Sequence, residues 1–480
     1  MVFSEGVFLF LFLPVAILVY YSPVCRRMKA KNIWLFLISI GFYAWAEPAY
    51  VFLMLASICA NWLLSRLASG CPRTPRGRRI VTVACVYNLG ILFVFKYLVW
   101  LLGGNSILSG LALPIGISFY TLQALSYVID VYRGKEEAQE SILDVGLYIA
   151  FFPQLIAGPI VRYGTVAKQL ENRTHSFQKF SDGAWRFVIG LSKKLLIANQ
   201  VAVVAKIAFR QEGDGLSVAL AWAGALACML QFYFDFSGYS DMAIGLGRMF
   251  GFEFRENFNY PYISRSVTEY WRRWHISLGE WFRDYLYYPL ALGPGIRLRK
   301  VMAEKVGTEK AKALSAALPM LAVWLATGLW HGAGWTFVIW GLIQFLAIYR
   351  EQRRRPAESR TLEAVSGFAG TFMFTLLMHV LFSADSVSHA ASYYAAMLHL
   401  NGNAWLDPYG LYWIWNYRMF LLLGLIFSFP VLDRLDKAIR NERTRSAWYA
   451  VQAVAVAALL VLDFCYAIGG SYNPFIYFSF

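Results

Sequence analysis

Apolar runs of bilayer length divide this chain from one end to the other. Ile80–Leu102 carries a single formal charge, Lys96, and Val365–Phe382 carries none. Roughly 18 to 20 such residues cross a hydrocarbon core as a helix. A helix also satisfies its own backbone where there is no water to do so. Similar runs occur at Val7–Tyr21, Ile33–Trp45, Ala49–Leu67, Pro114–Val131, Ala184–Phe209, Leu216–Phe236, Leu314–Trp330, Gly334–Tyr349, Met419–Val431 and Trp448–Tyr466. Of the 480 residues, 58% are hydrophobic and 15% charged, against about a quarter charged in a soluble domain. The expected fold is an all-α polytopic membrane protein with roughly nine to eleven crossings. No long polar insert separates two halves. The chain therefore reads as one integral-membrane domain over 1–480, with N-terminal helices at 7–131, a core at 147–349 and C-terminal helices at 365–480.

The net charge of +15 has two explanations, a nucleic-acid partner or cytoplasmic anchoring. Its distribution favours anchoring. CRRMKAK (Cys25–Lys31), CPRTPRGRR (Cys71–Arg79), REQRRRP (Arg350–Pro356) and DRLDKAIRNERTR (Asp433–Arg445) are short basic loops between apolar runs, and such loops stay in the cytoplasm. This puts the N-terminus, Glu47-Pro48, the neutral GGNSILSG loop and the C-terminal tail outside. It puts the sequon at Asn172 inside, away from glycosylation. Val7–Tyr21 lacks a basic leader and a cleavage site, so it reads as a retained span rather than a signal peptide. Cys25, Cys59, Cys71, Cys85, Cys228 and Cys465 are scattered with no metal-ligand spacing, so neither a disulfide framework nor a metal site is expected.

Four stretches depart from plain membrane helix. LYIAFFPQLIAGPIVRY (Leu147–Tyr163) contains Pro153, Gly158 and Pro159, which break a straight helix. Such a break is tolerated at membrane depth when it is buried in protein or lines a cavity. FDFSGYSDMAIGLGRMFGF (Phe234–Phe252) carries Asp235 and Asp241. Intramembrane carboxylates have either a partner or a task. The glycines there are spaced GxGxxxG without a preceding strand, which indicates close helix packing rather than a nucleotide loop. In the third stretch Trp271, Trp274, His275, Leu278, Trp281, Phe282 and Tyr285 fall on one helical face, with arginines and acids opposite. This predicts one continuous amphipathic helix at the membrane interface, preceded by an irregular connector containing Asn257, Tyr260, Pro261 and Tyr262. The fourth, WLATGLWHGAGWTFVIWG (Trp324–Gly341), has His331 as its single ionisable residue, followed by Gly332 and Gly334, which weaken the helix there.

No GxSxG elbow, HExxH helix or P-loop is present. What remains is His275 and His331 in aromatic membrane segments. Each is either a packed core residue or a base: a buried neutral imidazole can take a hydroxyl proton as the oxygen attacks a thioester. His379, within an apolar run, reads as packed. His175, His389 and His399, in loops or near helix ends, read as solvated.

At this point the sequence resembles the membrane-bound O-acyltransferases, in particular the bacterial alginate-type polysaccharide O-acetyltransferases. The likeness runs through MVFSEGVFLFLFLP, LPIGISFYTLQALSYVIDVYRG, FFPQLIAGPIVRY, FDFSGYSDMAIGLGRMFGFEFRENFNYPY, YWRRWHISLGEWFRDYLYYPL, GLWHGAGWTFVIWG and the terminal FIYFSF, in that order. One departure is HVLFSADS (His379–Ser386), where Ser383 stands in the place of an arginine. The resemblance implies a ring of helices with a thinned central funnel, and no bound cofactor. It implies a cytosolic thioester donor such as acetyl-CoA, and an exported polysaccharide as acceptor. It also implies an extracytoplasmic partner of the esterase-like SGNH type and a bacterial cytoplasmic (inner) membrane location. His331 matches the catalytic histidine and His275 the second signature position. Asp235, Asp241, Asn257, Tyr260, Arg273, Gln154 and Arg162 are further candidates for binding substrate. Two other readings stay open: D-alanyl transfer to teichoic acid from a carrier protein, and a proton-coupled transporter or flippase that uses the histidines and Asp235 as a relay. The transporter class often carries inverted internal repeats, and none is visible here.

Overall fold

The computed structural model describes residues 2–102, 112–211, 215–353, 360–439, 442–469 and Phe475. The GGNSILSG loop, the middle of the QEGDG turn and most of the FIYFSF tail lie outside these residues. The described residues are helical and contain no strand. Eight of their helices are long and apolar enough to cross a bilayer: Val51–Ser69, Pro75–Leu98, Phe177–Arg210, Val218–Met249, Thr308–His331, Ala364–Ser383, Pro408–Phe427 and Thr444–Gly469. Phe8–Tyr21 is a shorter apolar one. The other expected crossings are also helical, as Met28–Ala46, Ile117–Tyr132 and Trp335–Glu351. This is a polytopic all-α membrane protein.

Contacts group the chain into two units, one of Met1–Leu191, Tyr239–Glu256 and Phe464–Ser479, the other of Ser192–Gly238 and Asn257–Asp463. In the first unit the broken element behaves as its prolines and glycine require. Helix Ile142–Ala150 stops at Phe151, a single turn Phe152–Leu155 follows, and helix Tyr163–Glu171 resumes after an extended stretch. The residues from Val145 to Val161 are all buried, so non-helical backbone at membrane depth is sheltered by protein. The unit also holds a polar knot at Arg173. Its Nε donates to the Tyr20 hydroxyl at 2.9 Å and to the Phe250 carbonyl at 3.1 Å, and its Nη1 donates to Asn32 Oδ1 at 2.7 Å.

In the second unit, Thr308–His331 and Trp335–Glu351 form a helical hairpin. Gly328 and Gly341 face each other across it. A Cβ on Gly328 would run into the Phe337 carbonyl, and one on Gly341 into that of Trp324. Two glycines thus let the helix backbones touch, as small residues do in membranes. The segment Phe234–Phe252, which the sequence set apart, proves to be largely the second half of the continuous 32-residue helix Val218–Met249.

Candidate active site

His331 is the last residue of the Thr308–His331 helix and only 4% exposed. Three aromatic rings stand nearly perpendicular to its imidazole: Phe382 at 5.0 Å, Trp330 at 5.1 Å and Trp340 at 5.4 Å between centroids. The space beside Gly332 is filled by the Phe337 ring, which itself packs against Phe382 at 5.0 Å.

The expected single helix over Trp271–Tyr285 is interrupted at its histidine. Val267–Arg273 ends, Trp274 is extended, and Ile276–Phe282 begins again. His275 stands between them at φ 44° and ψ 51°, a left-handed conformation uncommon outside glycine. Helical periodicity carries no signal for such a break. Its cause lies in Asn257, which is fully buried. The Asn257 carbonyl accepts the Ile276 N–H at 3.0 Å. Its side-chain oxygen accepts the Ser277 N–H at 3.1 Å and the Ser277 hydroxyl at 2.8 Å. The same oxygen stands 3.4 Å from His275 Nδ1. An acceptor already fixed by a backbone N–H favours the tautomer with the proton on Nδ1. Burial holds the His275 imidazole well below its ordinary value, so the ring is neutral at physiological pH.

The two histidines share a neighbour. The Trp330 ring lies 5.9 Å from His275 and 5.1 Å from His331. Phe236 packs edge-on to His275 at 4.6 Å. The two motif-bearing segments are tied together by residues that sequence reasoning missed. The Glu351 carboxylate, at the far end of the hairpin, accepts the Val267 N–H at 2.6 Å, the Thr268 N–H at 2.9 Å and the Thr268 hydroxyl at 2.7 Å. The Trp271 indole N–H donates to Gln344 Oε1 at 3.0 Å, and Trp271 nests between Trp324 and Trp340 at 4.8 and 5.6 Å. A polar side chain inside the apolar run Gly334–Tyr349 was the available clue to Gln344. His379 is packed as expected, with Nδ1 2.8 Å from the Thr375 carbonyl and its ring 5.7 Å from Trp274.

The family model of the membrane-bound O-acyltransferases matches residues 139–380, a range that includes both histidines, Asn257 and Gln344. A probable alginate O-acetylase of Pseudomonas putida is 36% identical over 100% of both chains. The chain belongs to the membrane-bound O-acyltransferase family. A second such alginate O-acetylase, from Azotobacter vinelandii, is 41% identical over 83% of this chain and 78% of its own. The peptidoglycan O-acetyltransferase of Helicobacter pylori is 29% identical over 100% and 98%. The protein is therefore a multi-pass membrane O-acyltransferase.

Not every candidate residue of this O-acyltransferase gathers at the histidines. Asp235 forms an ion pair with Lys194 at 2.6 Å, both buried. Arg273 binds Glu269 at 2.9 Å on its own helix and reaches the Asn259 carbonyl at 3.2 Å. Tyr260, half-buried, precedes the turn Pro261–Ile263 with φ 43°. Three candidates belong to the other unit. Asp241 binds Arg186 at 2.8 Å, which also holds Glu256. Gln154 is buried in the broken element and donates to the Tyr148 carbonyl at 2.6 Å. Arg162 precedes helix Tyr163–Glu171. His175, expected to be solvated, is half-covered and lies 2.8 Å from the Tyr20 hydroxyl through Nε2. All six cysteines are free, and among the described residues no cluster of His, Cys, Asp or Glu has the geometry of a metal site.

Proposed function

We propose that this O-acyltransferase moves an acetyl group from a cytosolic thioester, acetyl-CoA, toward hydroxyls of an exported polysaccharide, with His331 as the base. The observation that carries the reading is the aromatic enclosure of His331, with His275 against the same Trp330. In the reaction the accepting hydroxyl gives its proton to the His331 imidazole as its oxygen bonds to the acyl carbon. The carbon–sulfur bond then breaks, and the leaving thiolate takes the proton back from the imidazolium. The positive charge that develops on the ring is favoured twice, by the C-terminal end of the Thr308–His331 helix and by surrounding π-systems. His275, held neutral by burial, orients or polarises the acyl group. The relatives named for alginate and peptidoglycan support a sugar polymer as acceptor. The membrane is the bacterial cytoplasmic membrane, and an SGNH-type partner on its outer face completes the transfer to the polymer.

The test uses the purified protein in nanodiscs with its outer partner and radiolabelled acetyl-CoA. His331→Ala is expected to lower transfer at least a thousandfold, while the melting temperature stays within a few degrees of wild type. Full transfer by that variant sinks the assignment of the base.

A further inference from the structure

The two motif histidines stand on separate segments, so whatever joins those segments sets the distance between them. His331 ends the Thr308–His331 helix, and His275 follows just after the helix Val267–Arg273. Asn257 fixes the shape of the His275 turn, but it comes from the connector before that turn and not from the hairpin. Trp271, one helical turn before His275, reaches the hairpin. Its ring packs on Trp324 at 4.8 Å and on Trp340 at 5.6 Å. Trp340 in turn packs on His331 at 5.4 Å.

Ring contacts fix a separation and leave the rings free to slide. A hydrogen bond adds a direction. Gln344, one helical turn beyond Trp340, is the one amide in the apolar run Gly334–Tyr349, and it is only 3% exposed. Its side-chain oxygen accepts the Trp271 indole N–H at 3.0 Å. An indole nitrogen can only donate, and a buried one needs an acceptor. The pair therefore fixes how Trp271 lies among the hairpin tryptophans.

The bond acts together with Glu351, whose carboxylate holds the start of the Val267–Arg273 helix at Val267 and Thr268. One fixed point leaves a short rod free to pivot, and a second sets its direction. Trp271 lies about 4.5 Å along the axis from Thr268. His275 lies beyond both points, so a slip at the indole reaches it enlarged. A misplacement of about 1 Å at a reacting group can cost about a hundredfold in rate.

We propose that Gln344 is a positioning residue for acyl transfer, which sets through Trp271 where His275 stands relative to His331. The proposal rests on the acyl-transfer reading above. The experiment uses the full-length protein in nanodiscs, with isotope-labelled histidine. It measures acetyl transfer with the outer partner and acetyl-CoA, and the histidine ring signals by solid-state NMR. Gln344→Met keeps the reach of the side chain and removes the acceptor. It is expected to lower kcat at least tenfold, to leave the KM for acetyl-CoA within about twofold, and to shift the His275 ring signal. Trp271→Phe removes the donor and is expected to do the same, which covers the case in which methionine disturbs the fold. On the Trp271→Phe background, Gln344→Met should cost no further rate, because both changes act through one bond. A kcat within about threefold of wild type in both single variants, an unshifted His275 signal in both, or fully additive losses in the double variant overturns the positioning role. If His331→Ala keeps full transfer while Gln344→Met still shifts the His275 signal and lowers kcat, the base assignment falls and the positioning role stands.

Discussion

His275 pays for its position with backbone strain, and Asn257 is the residue that makes the strain affordable. A left-handed non-glycine residue persists only where its surroundings over-determine it. Here one asparagine holds the turn through its main chain and its side chain together. Asn257→Ala removes the acceptor from Ser277 and from the Nδ1 side of His275. The expected loss is about 1–3 kcal/mol of stability, read as a lower melting temperature. Acetyl transfer should fall more than that loss explains, with kcat affected rather than the KM for donor. A variant that melts lower yet keeps its kcat would show that the contact serves the fold alone. A second residue-scale prediction concerns pH. His175, in a loop of the first unit, is pushed down to about 4, first by burial and then by Lys31 and Arg173. Between that value and the ordinary one near 6.5, the unfolded chain binds a proton that the folded chain does not. Stability therefore rises with pH across this window and is lost as pH falls through it. The melting temperature should drop from pH 7 to pH 5, and the drop should shrink in His175→Gln.

At the scale of elements, a buried ion pair joins two membrane helices. Lys194 lies in a π-helical turn, Lys193–Ala198, within the span Phe177–Arg210, and Asp235 lies on Val218–Met249. The residue after Asp235 is Phe236, the ring that packs on His275. Removing one partner leaves a charge stranded out of water, which costs about 3–5 kcal/mol. Lys194→Met or Asp235→Leu alone should therefore express poorly and melt low. The double variant Lys194→Met/Asp235→Leu should recover most of the stability, because a matched apolar pair can replace a buried ion pair. Recovery of folding without recovery of transfer would show that the charges also act in the reaction. These elements also show what the sequence could disclose. Apolar length gave the helices, and Pro153 with Gly158 and Pro159 gave the break in the first unit, because both depend on local chain chemistry. The two carboxylates were legible as residues needing a partner, but not which partner, since Lys194 and Arg186 are distant in sequence. The break at His275 was invisible to periodicity. It is imposed by Asn257, eighteen residues upstream, and a tertiary contact overrides a helical pattern. His331 was legible as an isolated ionisable group, whereas its enclosure by Phe382 depends on a helix some fifty residues further on.

For the molecule as a whole, the decisive question is sidedness. The basic loops at Cys25–Lys31, Cys71–Arg79 and Arg350–Arg353 predict one face in the cytoplasm. The proposed reaction takes its donor from that face and delivers the acyl group to the other. Sealed proteoliposomes holding the enzyme in known orientation test this directly. With labelled acetyl-CoA supplied only on the face that carries the basic loops, label should appear on acceptor and partner confined to the opposite face. Donor supplied only on the outer face should give no transfer. A transporter of intact donor behaves differently, because labelled CoA thioester itself would accumulate across the membrane without ester formation. His331→Ala sharpens the distinction, since an enzyme that carries the acyl group by chemistry loses transport of label and ester formation together. If the variant still moved label across, the passage and the chemistry would be separate functions of the protein, and the histidine would serve only the second.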